Sequence, residues 1–282
     1  MTLSGKARLA GVMGWPVEHS LSPRLHGYWL EHHRIDGAYV PLAVGPEGLR
    51  AALSALPALG FRGVNLTLPH KEQALDLCHV VDDMARRIGA VNTVVVREGR
   101  LVGSNSDAFG FMENLKQGAP DWRAKASPAV VLGAGGASRA VVAALADAGA
   151  PEVRIVNRTR ERAEALAEAL APWLGSALSA HGWDQRQAVL ADAGLLVNAT
   201  TLGMAGQASL DLDLGGLPPD ALVTDIVYTP LMTPLLEAAR ARGNPLVDGL
   251  GMLLHQARPG FEDWFDVRPE VTTALREFVL SA

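Results

Sequence analysis

The chain has 282 residues, of which 49% are hydrophobic and 20% charged, a composition typical of globular domains. Its length favours two domains, and the net charge of −5 provides no basic surface for nucleic acid. No stretch of about 18 apolar residues predicts a membrane span, and the N-terminus lacks the apolar region of a signal peptide. We therefore expect a cytoplasmic protein that binds neither nucleic acid nor membranes. Cys78, the one cysteine, has no internal disulfide partner and is expected to pack in the core.

The first hundred residues alternate between strand and helix patterns. Apolar runs at 7–14, 38–44 and 61–68 predict strands, and the segments 21–33, 46–56 and 69–78 predict helices. Such alternation indicates a mostly parallel sheet covered by helices, an α/β fold. Ligands of open α/β sheets bind at the carboxyl ends of the strands, so the polar residues there are candidate site residues.

Two serines follow the first predicted strand. Ser20 and Ser22 stand just before Pro23, a residue suited to the first turn of a helix, so one of them is expected to be an N-cap. Alternatively, two hydroxyls beside a helix N-terminus hold a carboxylate, because the helix dipole favours an anion there. This segment alone leaves both interpretations open.

The segment 63–71 combines two aligned polar residues with a lysine. Asn65 and Thr67 lie two apart on the predicted strand and therefore share a face. Pro69 is expected to begin a helix, which puts Lys71 in a first turn that disfavours a cation. A lysine held there has a lowered pKa and suits general acid/base catalysis near neutral pH. A solvated surface lysine is the alternative.

A hairpin is predicted next, at one edge of the sheet. The runs 90–96 and 100–105 read as two strands joined at residues 97–99. Asn92 lies near the start of the first strand, and Asp107 follows the second. Asp107 alone suits a helix cap; beside Lys71 its carboxylate would orient the ammonium for proton transfer.

Residues 117–128 are rich in glycine, proline, alanine and charge, and read as a linker. The segment 129–140, AVVLGAGGASRA, then predicts a strand, a tight turn and the start of a helix. Gly133 permits the turn, and Gly135 lets the backbone approach a pyrophosphate at the helix N-terminus. Ser138 occupies the position of the third glycine in the dinucleotide motif. An αβ turn without a ligand remains the alternative.

The next strand, 153–159, indicates the type of cofactor. A dinucleotide fold that prefers NAD carries an acidic residue about 20 residues past the glycines, where it binds the ribose 2′-hydroxyl. No carboxylate occupies that place here; Arg158, Arg160 and Arg162 do, and guanidinium groups suit a 2′-phosphate. NADP is therefore favoured over NAD. Alternatively, these arginines are only the solvated start of the helix at 160–170.

The remaining elements complete an α/β pattern. Strands are predicted at 195–200, 222–228 and 245–249, and helices at 138–150, 233–243, 249–257 and 269–282. The glycine-rich segment 201–220 is expected to be a mobile loop near the nicotinamide. His255 has no serine or cysteine motif paired with it, so a packing role is expected.

Taken together, these motifs resemble the shikimate dehydrogenase family. The matching blocks occur in the family's order over nearly the whole chain: GWPVEHSLSPRLH, GVNLTLPHK, GAVNT, GSNSDAFGF, GAGGASRA, NRT, NATTLGM, DIVYTPLMTPLL and DGLGMLLHQA. The resemblance implies a substrate domain at 1–108, completed by helices at 251–282, and a Rossmann-like NADP domain at 109–250. It also implies reversible, NADPH-dependent reduction of 3-dehydroshikimate to shikimate in aromatic amino acid biosynthesis.

The resemblance further implies a role for individual residues. Lys71 would be the acid/base, paired with Asp107. The implied substrate contacts are Ser20 and Ser22 with Tyr228 for the carboxylate, and Asn65, Thr67, Asn92, Asp107 and Gln256 for the ring hydroxyls. The implied cofactor contacts are Gly133, Ala134, Gly135, Gly136 and Ala137 for the pyrophosphate, Asn157, Arg158, Thr159, Arg160, Glu161 and Arg162 for the 2′-phosphate, Ile226 and Gly249 for the nicotinamide, and Asp83.

Two other functions remain possible on these residues. One is an NAD-using quinate/shikimate dehydrogenase, which shares the fold and most of the site; the other is a non-catalytic NADP-sensing module. The arginines after the strand at 153–159 disfavour the first, and the presence of both Lys71 and Asp107 disfavours the second. No metal site is expected from the ligand spacing. We expect hinge motion around Asp107 and Gly249, and a monomer or homodimer.

Overall fold

A computed structural model describes residues 2–173 and 177–281, which form two compact units. One unit contains Met1–Ser106 and Gln256–Ala282, and the other contains Asp107–His255. Each unit has its own six-stranded sheet. The α/β fold with two mostly parallel sheets is thus confirmed.

The first unit begins with six strands and three helices. They are β1 (Arg8–Gly14), α1 (Ser22–His32), β2 (Gly37–Ala43), α2 (Leu49–Ala55), β3 (Phe61–Leu66), β4 (Val80–Val81), α3 (Asp83–Ile88), β5 (Thr93–Arg97) and β6 (Arg100–Ser104). The strand order is β2-β1-β3-β5-β6-β4, with β1 parallel to β2 and β3. The predicted β5–β6 hairpin is confirmed, and Glu98 and Gly99 at its turn have positive φ angles of 51° and 73°. The two-residue β4 lies outside it at the sheet edge.

One hydrophobic cluster in the core of the first unit lies between the sheet and α2. Leu49 and Leu53 of α2 pack with Met13 of β1 and Val64 of β3, and all four side chains are at most 2% exposed. Burial of each such side chain contributes about 1.5–3 kcal/mol. Cys78 packs against this cluster as expected, and burial raises the pKa of its thiol to about 11.

The second unit is a parallel sheet with helices between its strands. Its elements are α4 (Asp107–Gly118), β7 (Ala129–Leu132), α5 (Gly136–Asp147), β8 (Glu152–Asn157), α6 (Arg160–Leu170), β9 (Ala177–Gly182), β10 (Leu195–Asn198), β11 (Leu222–Asp225), α7 (Pro234–Arg242) and β12 (Leu246–Val247). The strand order β12-β11-β10-β7-β8-β9 is that of a Rossmann fold. The order reverses between β7 and β10, where such sheets bind dinucleotides.

Two helices end the chain. Helix α8 (Leu250–Phe265) crosses the boundary between the units, and α9 (Thr273–Leu280) belongs to the first unit. Helix α8 is longer than the sequence predicts and contains Pro259. Helix α3 and the strands β4 and β9 were not predicted, and α4 extends into the predicted linker as far as Gly118. Residues 199–221 form no helix or strand, in agreement with the predicted loop.

Candidate active site

A buried cluster of polar side chains involves β2, the carboxyl end of β3 and the start of β5. The Tyr39 hydroxyl donates to Asn65 Oδ1 at 2.6 Å. Asn65 Nδ2 donates to the Asn92 carbonyl and to Thr93 Oγ1, both at 3.1 Å. Thr93 Oγ1 and the Ser106 backbone N–H both donate to Asn92 Oδ1 at 2.9 Å. All five residues are at most 7% exposed, so these bonds are shielded from water.

Asn65 is the centre of this cluster. Both of its amide protons are donated within the protein, and Oδ1 accepts from Tyr39. One acceptor lone pair of Oδ1 remains for another donor. A contact between Asn65 and a substrate hydroxyl stays a prediction, and the structure adds a second role for Asn65: it joins β2, β3 and β5.

His26 packs flat against Tyr39. The two rings are stacked with centroids 3.9 Å apart and an interplanar angle of 3°. His26 is fully buried, and burial lowers its pKa from the ordinary 6.5 to about 3, so its imidazole is neutral. Burial also raises the pKa of Tyr39, and a hydrogen bond from Ser22 partly opposes this rise. The Tyr39 hydroxyl is therefore protonated and acts as a donor.

The prediction that Ser20 or Ser22 caps α1 is wrong. The N-cap of α1 is Leu21, no side chain caps it, and Ser22 is the first helical residue. Ser20 Oγ accepts from the Ser22 backbone N–H at 3.3 Å, within the turn that precedes the helix. Ser20 is half-buried and Ser22 buried. Since neither hydroxyl caps α1, the alternative role as anion ligands stays a prediction.

The helix predicted from Pro69 does not form. Residues 68–72 are a turn, and only the short 3-10 helix Gln73–Asp76 follows. The Lys71 carbonyl accepts from the Val91 backbone N–H at 2.8 Å, and the Leu75 N–H donates to the Glu72 carbonyl at 3.2 Å instead of to Lys71 as an α-helix requires. The helix-dipole argument for Lys71 therefore fails. The Lys71 side chain is half-buried, and its backbone is bonded to Val91, the residue before Asn92.

Other candidate residues lie at the ends of secondary-structure elements. Thr67 comes directly after β3 rather than within it, and its N–H donates to the Met13 carbonyl at 2.9 Å. Asp107, 7% exposed, begins α4 and belongs to the second unit, whereas Lys71 belongs to the first. Gln256 is half-buried on α8. The Lys71–Asp107 pair stays a prediction.

The glycine turn has the predicted strand–turn–helix form. Gly133 has a φ of 108°, and a Cβ there would lie 2.9 Å from the Ala199 carbonyl oxygen, so only glycine fits. A Cβ added to Gly135 or Gly136 meets no atom within 4 Å, which leaves open space before the N-terminus of α5. Ser138 is buried and its Oγ accepts from the Gly135 N–H at 3.3 Å. This geometry fits a pyrophosphate held by backbone N–H groups.

Exposed arginines follow β8. Asn157, the last residue of β8, donates from Nδ2 to the Thr159 carbonyl at 2.8 Å, which closes the turn into α6. Arg160 pairs with Glu164 at 2.9 Å, whereas Arg158 and Arg162 make no ion pair with any residue in 2–173 or 177–281. Glu161, the acidic residue nearest to these arginines in the sequence, lies in the first turn of α6 and is exposed, as is Thr159. The donor set therefore fits a 2′-phosphate.

The predicted nicotinamide residues lie after β11 and before α8. Ile226 and Tyr228 are half-buried, and burial raises the pKa of the Tyr228 hydroxyl. A Cβ on Gly249 would lie 2.6 Å from the backbone oxygens of Asp225 and Ile226, so glycine permits this close approach. Gly249 and the 226–228 segment are thus neighbours, as their shared predicted role requires.

Several residues were not singled out in the sequence. Tyr39 stands in an ordinary strand pattern, and Asn198 and Asp225 end apolar strands. In the structure Tyr39 makes a buried hydrogen bond to Asn65, and Asn198 makes one to Asp225. A polar residue at the end of an apolar strand is the signal that identifies the last two. His255, expected to pack, hydrogen-bonds through Nε2 to Gln117 at 2.8 Å.

Asp83, predicted as a weaker cofactor contact, is exposed in the first turn of α3. Its neighbour Asp82 caps that helix by accepting from the Ala85 N–H at 2.6 Å. Across residues 2–173 and 177–281, no three histidine, cysteine or acidic side chains are grouped as metal ligands would be. In the same ranges, no helix has the length and apolar character needed to span a membrane.

Comparisons with known proteins agree with this architecture. The family model described as "Shikimate dehydrogenase substrate binding domain" matches residues 12–94, and "Shikimate / quinate 5-dehydrogenase" matches 115–203. Shikimate dehydrogenase (NADP(+)) of Rhodospirillum rubrum is 64% identical over 279 residues, covering 99% of each chain. That of Paramagnetospirillum magneticum is 62% identical and covers 99% of this chain and 100% of its own.

Solved structures with the same fold include two informative complexes. Thermus thermophilus shikimate 5-dehydrogenase with NADP(H) and shikimate has a TM-score of 0.85 at 40% identity, covering 97% of this chain and 99% of its own. Quinate dehydrogenase of Corynebacterium glutamicum with NAD has a TM-score of 0.91 at 33% identity, covering 98% and 99%. The chain belongs to the shikimate dehydrogenase family.

Proposed function

We propose that this chain is an NADP-dependent oxidoreductase that reversibly reduces 3-dehydroshikimate to shikimate in aromatic amino acid biosynthesis. The full-length relatives that carry this name support the activity. The observation that carries the choice of cofactor is local to β8: no carboxylate ends this strand, and exposed arginines follow it. Guanidinium groups favour a 2′-phosphate over a free 2′-hydroxyl.

The cofactor site is formed by the glycine turn and the segment after β8. Residues 133–137 would hold the pyrophosphate through backbone N–H groups at the N-terminus of α5. Residues 157–162 would hold the 2′-phosphate, and the Ile226 and Gly249 backbones would line the nicotinamide, with Asp83 as a further contact. The chemistry supplied by bound NADPH is hydride donation to a carbonyl carbon.

Apart from Asp107, the proposed substrate contacts are neutral hydrogen-bonding groups. Ser20, Ser22 and Tyr228 would hold the carboxylate, and the ring hydroxyls would meet Asn65, Thr67, Asn92, Asp107 and Gln256. Buried neutral groups such as Asn65 and Asn92 reject analogues that lack a hydroxyl, because their hydrogen-bonding atoms would be left unpaired.

Lys71 is the proposed acid/base. Its ammonium donates a proton to the carbonyl oxygen as that oxygen becomes a hydroxyl, and in the oxidation Lys71 Nζ takes the proton back. Asp107 would orient the ammonium for proton transfer.

The proposed substrate domain is 1–108 with 251–282 and the proposed cofactor domain is 109–250. The proposed enzyme is cytoplasmic and acts as a monomer or homodimer.

The Lys71→Ala variant tests this assignment. Loss of a general acid/base lowers kcat by about a hundredfold or more, whereas the KM for shikimate changes little. The matched control is Lys116→Ala, which removes a surface lysine that pairs with Glu113 at 2.9 Å and is expected to keep wild-type kinetics. An unchanged kcat in Lys71→Ala excludes Lys71 as the acid/base.

The alternative of an NAD-using quinate/shikimate dehydrogenase is favoured by the fold shared with the NAD complex of quinate dehydrogenase. It predicts turnover of quinate and use of NAD, and the arginines after β8 argue against a preference for NAD. A non-catalytic NADP-sensing module predicts binding without turnover.

A further inference from the structure

A carboxylate lies fully buried at the carboxyl end of β11. Asp225 is 0% exposed, and Asn198 Nδ2 lies 3.0 Å from both of its oxygens. Oδ1 also accepts from the Val227 N–H at 2.9 Å, and Oδ2 from Thr233 Oγ1 at 2.7 Å. Burial raises the pKa of Asp225, and these hydrogen bonds oppose the rise.

Every partner of Asp225 is a neutral donor. No lysine, arginine or histidine in 2–173 or 177–281 forms an ion pair with it, so electrostatic pairing does not explain why it is buried there. An ionised carboxylate is acceptor-only and satisfies all of these donors at once. An amide of the same shape places an NH₂ group against at least one of them, and a leucine leaves all of them unpaired. The arrangement is therefore specific to aspartate.

The donors belong to the two loops that follow β10 and β11. Val227 lies two residues after Asp225, so its bond fixes the backbone as the chain leaves the strand. Thr233 is the N-cap of α7, and its Oγ1 accepts from the Leu236 N–H at 3.4 Å. Asp225 thus holds both ends of the segment 227–233.

The loop after β10 is held through Asn198. Its Nδ2 also donates to the Leu202 carbonyl at 3.0 Å, and its Oδ1 accepts from Thr200 Oγ1 at 2.7 Å. The two loops are joined directly where the Ala205 N–H donates to the Thr229 carbonyl at 2.9 Å. One carboxylate is therefore the common anchor of both loops.

We propose that Asp225 is a positioning residue of the active site: its carboxylate fixes the segment that carries Ile226 and Tyr228 in the geometry needed for cofactor and substrate. This inference rests on the proposed function, because it acts through residues assigned there. Ile226 and Tyr228 are half-buried, and the residues that anchor the segment, Asp225 and Thr233, are fully buried. Asp225 is itself fully buried, so it would act through this segment and not by direct contact with a ligand.

The neighbouring residue on β11 provides a matched control. Thr224 is 1% exposed and points to the opposite face of the strand, where its Oγ1 donates to the Val247 carbonyl at 2.8 Å. Thr224→Val removes a buried hydrogen bond from the same strand without touching either loop. A purely structural role for Asp225 predicts that Asp225→Asn and Thr224→Val behave alike.

The first readout uses the ligand-free protein. Amide hydrogen exchange followed by mass spectrometry reports the Val227 N–H, which Asp225 protects. We expect exchange in peptides covering 226–232 to be about tenfold faster in Asp225→Asn than in wild type, and unchanged in Thr224→Val. Equal exchange in the two variants overturns the proposal, whatever the protein catalyses.

The second readout is kinetic. Displacement of a positioning segment lowers kcat/KM by about tenfold to a hundredfold, so we expect that loss in Asp225→Asn and less than a twofold change in Thr224→Val. Faster exchange without a loss of kcat/KM overturns the positioning role. If Asp225→Asn does not fold, Thr233→Val removes one of the four bonds, and Thr233→Ser, which keeps the hydroxyl, restores wild-type kinetics.

The third readout asks whether Asp225 acts through Tyr228. In a double-mutant cycle, Asp225→Asn lowers kcat/KM less in the Tyr228→Phe background than in wild type, because the residue it positions has already lost its hydroxyl. Additive losses overturn the proposal. A wild-type protein without turnover refutes the proposed function, and the exchange experiment then decides the role of Asp225 on its own.

Discussion

Replacement of Tyr39 by phenylalanine removes one oxygen atom from the buried polar cluster. The Tyr39 hydroxyl donates to Asn65 Oδ1 at 2.6 Å, and both residues are at most 7% exposed, so no water replaces the lost donor. A buried acceptor left unpaired costs about 1–3 kcal/mol. For a domain of the size of the first unit, each kcal/mol of lost stability lowers Tm by roughly 4 °C, so Tyr39→Phe lowers Tm by about 4–12 °C.

Tyr28→Phe is the matched control. Tyr28 lies on α1 in the same unit, stacks on His32, and its hydroxyl has no hydrogen-bond partner in 2–173 or 177–281. We expect Tyr28→Phe to keep the wild-type free energy of unfolding to within about 0.5 kcal/mol, so its Tm stays close to that of wild type. Thermal unfolding followed by circular dichroism measures both variants.

Tyr39→Phe also affects the proposed substrate site. Without the Tyr39 donor the Asn65 amide keeps only the two bonds from Nδ2 and loses the one that fixes Oδ1, so the KM for shikimate rises by roughly fivefold or more. The KM for NADP stays unchanged, because Tyr39 belongs to the first unit and the glycine turn to the second. Equal Tm values for Tyr39→Phe and Tyr28→Phe would refute the reasoning.

Two further predictions concern the cofactor and pH. We expect Arg158→Ala to raise the KM for NADP by at least about tenfold and the KM for NAD far less, because a charge-assisted bond to the 2′-phosphate is lost. The surface variant Arg240→Ala is the control. Equal weakening of both cofactors would contradict a contact between Arg158 and the 2′-phosphate. Burial lowers the His26 pKa from its ordinary 6.5 to about 3, so between these pH values the imidazole is protonated in the unfolded chain and neutral in the folded chain. The stability contributed by the neutral His26 is therefore fully present above pH 6.5 and is lost as pH falls towards 3. Between pH 6 and 5, the free energy of unfolding falls by about 1 kcal/mol more in wild type than in His26→Phe, measured by urea titration; parallel curves contradict a neutral buried His26.

The strand–turn–helix at 129–140 was predictable because its determinants are local. Gly133 supplies a φ that other residues disfavour, and four buried residues precede it as β7. The β5–β6 hairpin was predictable for the same reason, since Glu98 and Gly99 take the positive φ angles of a tight turn. In both cases neighbours in sequence decide the conformation.

The segment 69–78 was mispredicted because a distant residue decides its conformation. Its apolar spacing is helical, but the Val91 N–H donates to the Lys71 carbonyl, and His70 Nε2 donates to the Val44 carbonyl at 2.7 Å. These contacts join residues that lie 20 or more positions apart, and no pattern within the segment encodes them. The N-cap of α1 was mispredicted by one residue: it is Leu21, and Ser20 Oγ accepts from the N–H of Ser22, the first helical residue, rather than from the second or third as an N-cap does.

The buried networks were also beyond prediction. Tyr39 and Asn65 are 26 residues apart, and Asn198 and Asp225 are 27 apart. Their pairing follows from strand register, in which Asn198 lies beside Asp225 on neighbouring parallel strands. Sequence alone identifies the residue types at strand ends but not which ends meet.

The most direct test of the proposed function is nicotinamide absorbance with purified protein, offering shikimate or quinate with NADP or NAD in all four pairings. We predict turnover confined largely to shikimate with NADP, because the proposed substrate contacts Asn65 and Asn92 are buried neutral groups and exposed arginines follow β8. Comparable turnover with quinate or NAD would contradict this specificity, and the absence of turnover in every pairing would contradict the activity itself.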